Sequence, residues 1–139
     1  MQAKGLIDTG AILALLDADD RWHDRCREAF TSLRLPLATT GAVLAEVFHL
    51  LGDNQRDVAA AWRFVRSGAV TLLSITDADS AALEELMKRY RNRPMDFADA
   101  TLVRVAEREA VSTILTIDHN DFETYRIGKR TRFRIAPAR

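Results

Sequence analysis

One cysteine, Cys26, in 139 residues rules out an internal disulfide. With only three histidines beside it, the chain also lacks the Cys/His ligand set of a structural zinc site. A reducing compartment, the cytoplasm, is therefore expected. No apolar stretch approaches the roughly 18 residues that a membrane span needs. The opening Met1-Gln2-Ala3-Lys4-Gly5 carries no apolar export segment either. Both absences point to a soluble, unexported protein that makes no use of a membrane. Excess charge of one sign is missing as well, since 20 basic residues balance 20 acidic ones. The chain as a whole is thus no polyanion binder, and any contact with nucleic acid must come from local basic patches. Three prolines and six glycines punctuate the chain without a low-complexity segment or a repeat at a solenoid period. With 47% hydrophobic content, the length suits one domain over residues 1–139 and is too short for two.

Apolar periodicity predicts strands at residues 4–8, 36–39, 70–75, 113–117 and 132–136. Helical patterns cover residues 11–17, 22–33, 41–51, 56–65, 77–90 and 95–109. Strands separated by helices must pair in parallel through crossover connections. The expected class is α/β, a three-layer α/β/α sandwich around a central, mainly parallel sheet.

Acids fall at telling places in that scheme. Asp8 closes the apolar run Gly5-Leu6-Ile7, and Asp118 closes Thr113-Ile114-Leu115-Thr116-Ile117. Both then stand at the carboxyl ends of buried strands, where open α/β sheets bind ligands. Asp8 equally suits the N-cap of the helix that follows it. In the helix over 95–109, Asp99 shares a face with Leu102, Val103 and Ala106 and so points inward. Asp96 lies three residues earlier, on that face or at the helix cap. Glu46 sits on the narrow polar stripe Ala42, Glu46, His49, Asp53 of a helix that is otherwise apolar, where a lone acid needs a partner. Asp121 either joins Asp118 or caps a short helix.

Two unit charges 4 Å apart repel by about 4 kcal/mol at an effective dielectric near 20. Several such pairs would consume much of a domain's net stability of about 5–15 kcal/mol, so protons or a cation must neutralise them. Oxygen donors without His or Cys suit Mg²⁺ or Mn²⁺, ions that keep water ligands and pair with phosphate. Hydrolysis of a phosphodiester is the chemistry expected from such a site.

The segments Leu6-Ile7-Asp8-Thr9-Gly10, Ala45-Glu46-Val47, Pro94-Met95-Asp96-Phe97-Ala98-Asp99-Ala100 and Leu115-Thr116-Ile117-Asp118-His119-Asn120-Asp121-Phe122 resemble the PIN-domain ribonucleases. The likeness is to the VapC-type toxins of type II toxin–antitoxin pairs in particular, and it extends from about residue 5 to residue 136. It implies a parallel sheet flanked by helices, a Mg²⁺- or Mn²⁺-dependent endoribonuclease acting on RNA, a homodimer, and inhibition by a small antitoxin. Under that resemblance Asp8, Glu46, Asp99 and Asp118 are the catalytic, metal-holding acids. Asp96 and Asp121 are auxiliary ligands, and Thr9 and Thr116 lend their hydroxyls in support. One departure is Gly10, where the family commonly has Ser.

RNA needs positive charge near the acids. Lys88, Arg89, Arg91 and Arg93 precede the acidic helix, and Arg126, Lys129, Arg130, Arg132 and Arg134 follow the last acid, placing phosphate contacts on either side of the metal. Trp22 and Trp62 read as core or dimer contacts, and the helices that carry Phe30, Val47, Phe48 and Trp62 are candidates for the dimer surface. His23, His49 and His119 show no Ser or Cys partner, so nucleophilic catalysis has no support. Asp8-Thr9-Gly10 also spells the aspartic-protease triplet, but here it runs into Ala11-Ile12-Leu13-Ala14-Leu15-Leu16 at helical period rather than into a β-barrel. A haloacid-dehalogenase-like phosphatase would need Asp where Gly10 stands. The remaining rival is a catalytically silent RNA-binding or scaffold protein with the same fold.

Overall fold

The computed structural model describes residues 2–34 and 36–139. At its centre lie β1 (Gly5–Ile7), β2 (Leu37–Thr39), β3 (Val70–Leu72), β4 (Thr113–Leu115) and, last in sequence, β7 (Arg134–Ala136). They form one sheet in the order β3-β2-β1-β4-β7, and every pairing in it is parallel. Leu6 stands opposite Ala38 on one side and Ile114 on the other. All residues of β1 and β2 are buried, which is what short, uninterrupted apolar strands achieve when helices cover both faces. The expected α/β/α sandwich is thus the architecture found.

The helices are α1 (Thr9–Leu16), α2 (His23–Ser32), α3 (Gly41–Leu51), α4 (Gln55–Arg66), α5 (Ser80–Arg89), α6 (Phe97–Glu109) and α7 (His119–Thr124). Five begin on a residue whose side chain accepts a backbone N–H of the first turn, namely Asp8, Thr40, Asn54, Asp96 and Asp118. Three of those caps are acids singled out above, so capping and site-building are done by the same side chains. α6 is the buried spine, with Ala100, Leu102, Val103, Val105 and Ala106 all at zero exposure. The buried Asp79, from a 3₁₀ turn before α5, accepts from Arg104 Nε at 2.8 Å and Arg108 Nη1 at 3.0 Å. That paired charge ties the start of α5 to α6.

The structure departs from expectation at the C-terminal end. In place of one strand over 132–136, β5 (Arg126–Ile127) and β6 (Thr131–Arg132) form an antiparallel ribbon, and only β7 joins the sheet. The break falls at Phe133, which buries its ring edge-on against Phe122, with centroids 5.4 Å apart. A ring driven inward between two short strands gains more than a continuous ladder would. β4 ends at Leu115, three residues before Asp118, because Thr116 N–H is the last to reach the neighbouring strand, at Ala136 O.

Of the residues considered for a dimer surface, Val47 is fully buried and excluded, while Phe30 packs on Phe64 and Phe48 on Trp62. Trp62 and Leu50 remain 48% and 62% exposed. Trp22 is partly buried against His119. Among the described residues no helix is long and apolar enough to cross a membrane.

Candidate metal centre

Asp8 follows directly on β1 and is only 7% exposed. Its Oδ1 accepts the Ala11 N–H at 3.3 Å, which caps α1, and its Oδ2 accepts the Thr116 hydroxyl at 2.6 Å. The cap and the site are one residue. Thr116 in turn accepts the Asp118 N–H at 2.9 Å, so a single hydroxyl positions the acids at the ends of two neighbouring strands. Asp118 then caps α7 through Asp121 N–H at 3.3 Å.

Glu46 arrives from the partly buried side of α3, where the Thr9 hydroxyl donates to Oε1 at 2.6 Å. Asp99 lies in the first turn of α6, with its N–H held by Asp96 Oδ1 at 2.8 Å. Its own Oδ2 accepts the hydroxyl of the buried Tyr125 at 2.8 Å. Asp121 Oδ1 accepts Arg93 Nη1 at 2.8 Å. Together Asp8, Glu46, Asp96, Asp99, Asp118 and Asp121 line one cavity of about 430 Å³, with Thr9, Gly10, Pro94 and Ile117 among its walls. The structure thus gathers all six acids from four distant stretches of chain.

The surroundings of Asp8, Asp99 and Asp118 resist ionisation. Burial pushes Asp8 up to about 7 against the lowering by the Thr116 hydroxyl and Ala11 N–H, and Asp118 and Glu46 push it further. Burial likewise pushes Asp99 up to about 7, against the Tyr125 hydroxyl and with the charges of Asp96, Asp8 and Asp118. Asp118 is raised too, first by burial and then by Asp121, while Arg93 opposes the rise. Tyr125, buried beside Asp99, is held far above its ordinary value and stays a hydroxyl donor.

Among the described residues, no group of three or more His, Cys, Asp or Glu side chains is arranged as it stands to hold a metal ion. What exists is an open, all-oxygen cavity. Glu46 and Asp99 each have one carboxylate oxygen oriented by a donor and the other without a hydrogen bond among the described residues. That donor set fits a hard divalent cation that keeps some of its water. A larger hollow of about 650 Å³, lined by Arg104, Glu107, Val111 and Ile127, brings no such acids together. There Glu107 is engaged by Arg104 and by Gly128 N–H.

Tyr125 escapes sequence reasoning, because nothing in its spacing ties it to Asp99. The one available signal is that a buried tyrosine hydroxyl needs a partner. At Gly10, where the resembled family commonly has Ser, an added Cβ would stand 3.0 Å from Ile117 Cγ1, so Ile117 fills the space of a larger residue. Of the basic residues, only Arg93 reaches the acids, while Lys88, Arg89, Arg91, Lys129 and Arg130 are exposed outside the cavity. Arg89 Nη1 donates to Gly128 O at 3.0 Å and Arg126 N–H to the Tyr90 hydroxyl at 2.9 Å, so the two segments meet.

Residues 5–128 match the family model described as PIN domain. Ribonuclease VapC26 of Mycobacterium tuberculosis is 30% identical over 134 residues, covering 95% of this chain and 99% of that protein. The crystal structure of VapC20, a Sarcin-Ricin loop cleaving toxin of the same organism, superposes with a TM-score of 0.74 at 24% identity, over 84% of this chain and 91% of that one. VapBC2 from Rickettsia felis, bound to a DNA fragment from its promoter, gives 0.68 at 12% identity, over 94% and 97%. At these identities the two structures speak to the fold.

Proposed function

This chain belongs to the PIN-domain family, and from that premise we propose that it is a Mg²⁺- or Mn²⁺-dependent endoribonuclease, the toxin of a type II toxin–antitoxin pair. One observation carries the reading: six carboxylates, from the end of β1, from α3 and from the starts of α6 and α7, line a single cavity without a basic residue among its walls. Asp8, Glu46, Asp99 and Asp118 hold the cation, with Asp96 and Asp121 at the rim. When bound, the cation supplies a Lewis acid for water and for the charge that develops on the phosphoryl oxygens.

The chain's own groups do the positioning. Thr9 aims Glu46, Thr116 aims Asp8, and Tyr125 aims Asp99, each through a hydroxyl donor that also limits rotation of the carboxylate. Burial and mutual repulsion keep Asp8 and Asp99 ready to exchange protons for a cation near neutral pH. An RNA substrate, a small antitoxin partner and a cytoplasmic location belong to the same reading. The exposed Leu50 and Trp62, next to Phe48, offer the apolar area that a homodimer would use.

The test is cleavage of structured RNA by the wild type and by Asp8→Asn, each with and without chelator. Equal cleavage by both proteins rejects the mechanism. For the toxin, expression should arrest growth, and the product of a short adjacent reading frame should relieve the arrest. Unimpaired growth with an active nuclease would leave an endoribonuclease that is no toxin.

A further inference from the structure

Arg89 and Gly128, 39 residues apart, are joined by a 3.0 Å hydrogen bond that docks the β5–β6 ribbon onto the end of α5. We propose that this junction makes one phosphate-tracking surface, gripping RNA on a single side of the acidic cavity, with Arg93 as its inner end. The proposal rests on reading that cavity as the place where RNA is cut.

The junction brings Arg89 and Arg91 beside Lys129 and Arg130 at the ribbon's turn, all exposed. The carboxylates nearby are Glu107, which accepts the Gly128 N–H at 3.0 Å and pairs with Arg104 at 3.8 Å, and two acids of α5. Glu85 lies 3.7 Å from Arg89 and Glu84 3.8 Å from Lys88, one helical turn back, and exposed pairs of this kind exchange readily for phosphate. Arg91, Lys129 and Arg130 have no carboxylate partner among the described residues. Since the chain's net charge is zero, this concentration is local.

The surface leads inward. Arg93 follows Arg91 by two residues and donates to Asp121 Oδ1 at 2.8 Å, and Asp121 lines the acidic cavity. A hollow of about 450 Å³ framed by Arg89, Tyr90, Asn92, Arg93 and Asp121 lies at this transition. An arriving phosphate competes with the Asp121 carboxylate for the Arg93 guanidinium, whose planar fork suits either. A backbone polyanion fits this surface better than an acidic protein does. Of the large exposed apolar side chains, Leu50, Trp62, Leu72, Met87 and Phe97, none lies on the ribbon and Met87 alone lies on α5, whereas protein partners depend on apolar anchors.

The experiment uses the double variant Lys129→Gln/Arg130→Gln and a labelled RNA hairpin in excess chelator, so that binding is read without cleavage. Affinity should fall roughly tenfold, and the log–log salt dependence should become shallower by about 1.4 to 1.8, for two contacts at about 0.7 to 0.9 each. The melting temperature should not move. With Mn²⁺ present, KM should rise while kcat stays within about twofold. Arg93→Gln should lower kcat as well, and Arg93→Lys should recover part of it. Unchanged affinity and salt slope in the double variant overturn the surface even if RNA is cut normally, and so does a wild type that fails to bind RNA. Weakened binding without any cleavage by the wild type keeps the surface and removes the nuclease.

Discussion

Thr116 and Asp8 are joined by a 2.6 Å hydrogen bond that spans 108 positions of sequence. The same hydroxyl accepts the Asp118 N–H, so one donor–acceptor oxygen sets the relative position of two metal-site acids. Thr116→Val keeps the shape and deletes both bonds. Loss of such an outer support typically costs about 10- to 100-fold in metal affinity or activity. Cleavage rate and Mn²⁺ titration of the variant should both show a loss of that size, and Thr116→Ser should recover most of it. A fully active Thr116→Val protein would reduce this bond to a packing detail.

Asp99→Asn separates function from stability. The amide oxygen still accepts from Tyr125, but the charge that burial and three neighbouring acids oppose is gone. Cleavage should fall by at least about 100-fold, as for other groups whose charge is needed in the transition state. The metal-free protein at neutral pH should melt at the same temperature or a few degrees higher, since a shift of ~1 kcal/mol moves Tm by about 2–8 °C. A joint fall in activity and Tm would assign Asp99 a structural role.

The pH dependence has a definite sign. Asp8 and Asp99 rise from an ordinary 3.8 to about 7 on folding, so the folded metal-free protein binds more protons than the unfolded chain. Their contribution to stability is complete below 3.8 and is lost as pH rises through about 7. A cation competes with those protons. Thermal melts with chelator should therefore show lower Tm at about pH 8 than at about pH 5.5, and added Mn²⁺ should raise Tm more at the higher pH. Equal metal stabilisation at both values would contradict the linkage.

The acids are readable from sequence because each obeys a local period. Asp8 ends an apolar run, and Asp99 lies in line with Leu102, Val103 and Ala106, so strand ends and helix faces place them without tertiary knowledge. Asp8 and Asp96 show why two readings of one acid need not compete, since each caps a helix whose first turn opens on the cavity. The meeting of the two basic segments has no such local sign. It depends on the chain folding back between β5 and β6 and on Phe133, just after the ribbon, burying itself against Phe122, a packing choice that alternation over residues 132–136 does not encode.

Tyr125 is the sharpest case of a residue that only the fold reveals, and it yields a directional test. Its hydroxyl donates to Asp99 Oδ2 at 2.8 Å and lowers a carboxyl that burial drives up to about 7. Tyr125→Phe removes that one opposing contact while retaining the ring that packs edge-on against Tyr90 and Phe122. Asp99 should then hold its proton to still higher pH. The acidic limb of the rate profile, where protonation blocks cation binding, should shift upward in pH, and activity at neutral pH should drop about 10-fold. Raising the pH should restore most of the lost rate, whereas simple damage to packing would lower the rate at every pH by a common factor. A profile of unchanged shape would therefore separate Asp99 from its hydroxyl partner and leave Tyr125 as a core aromatic alone.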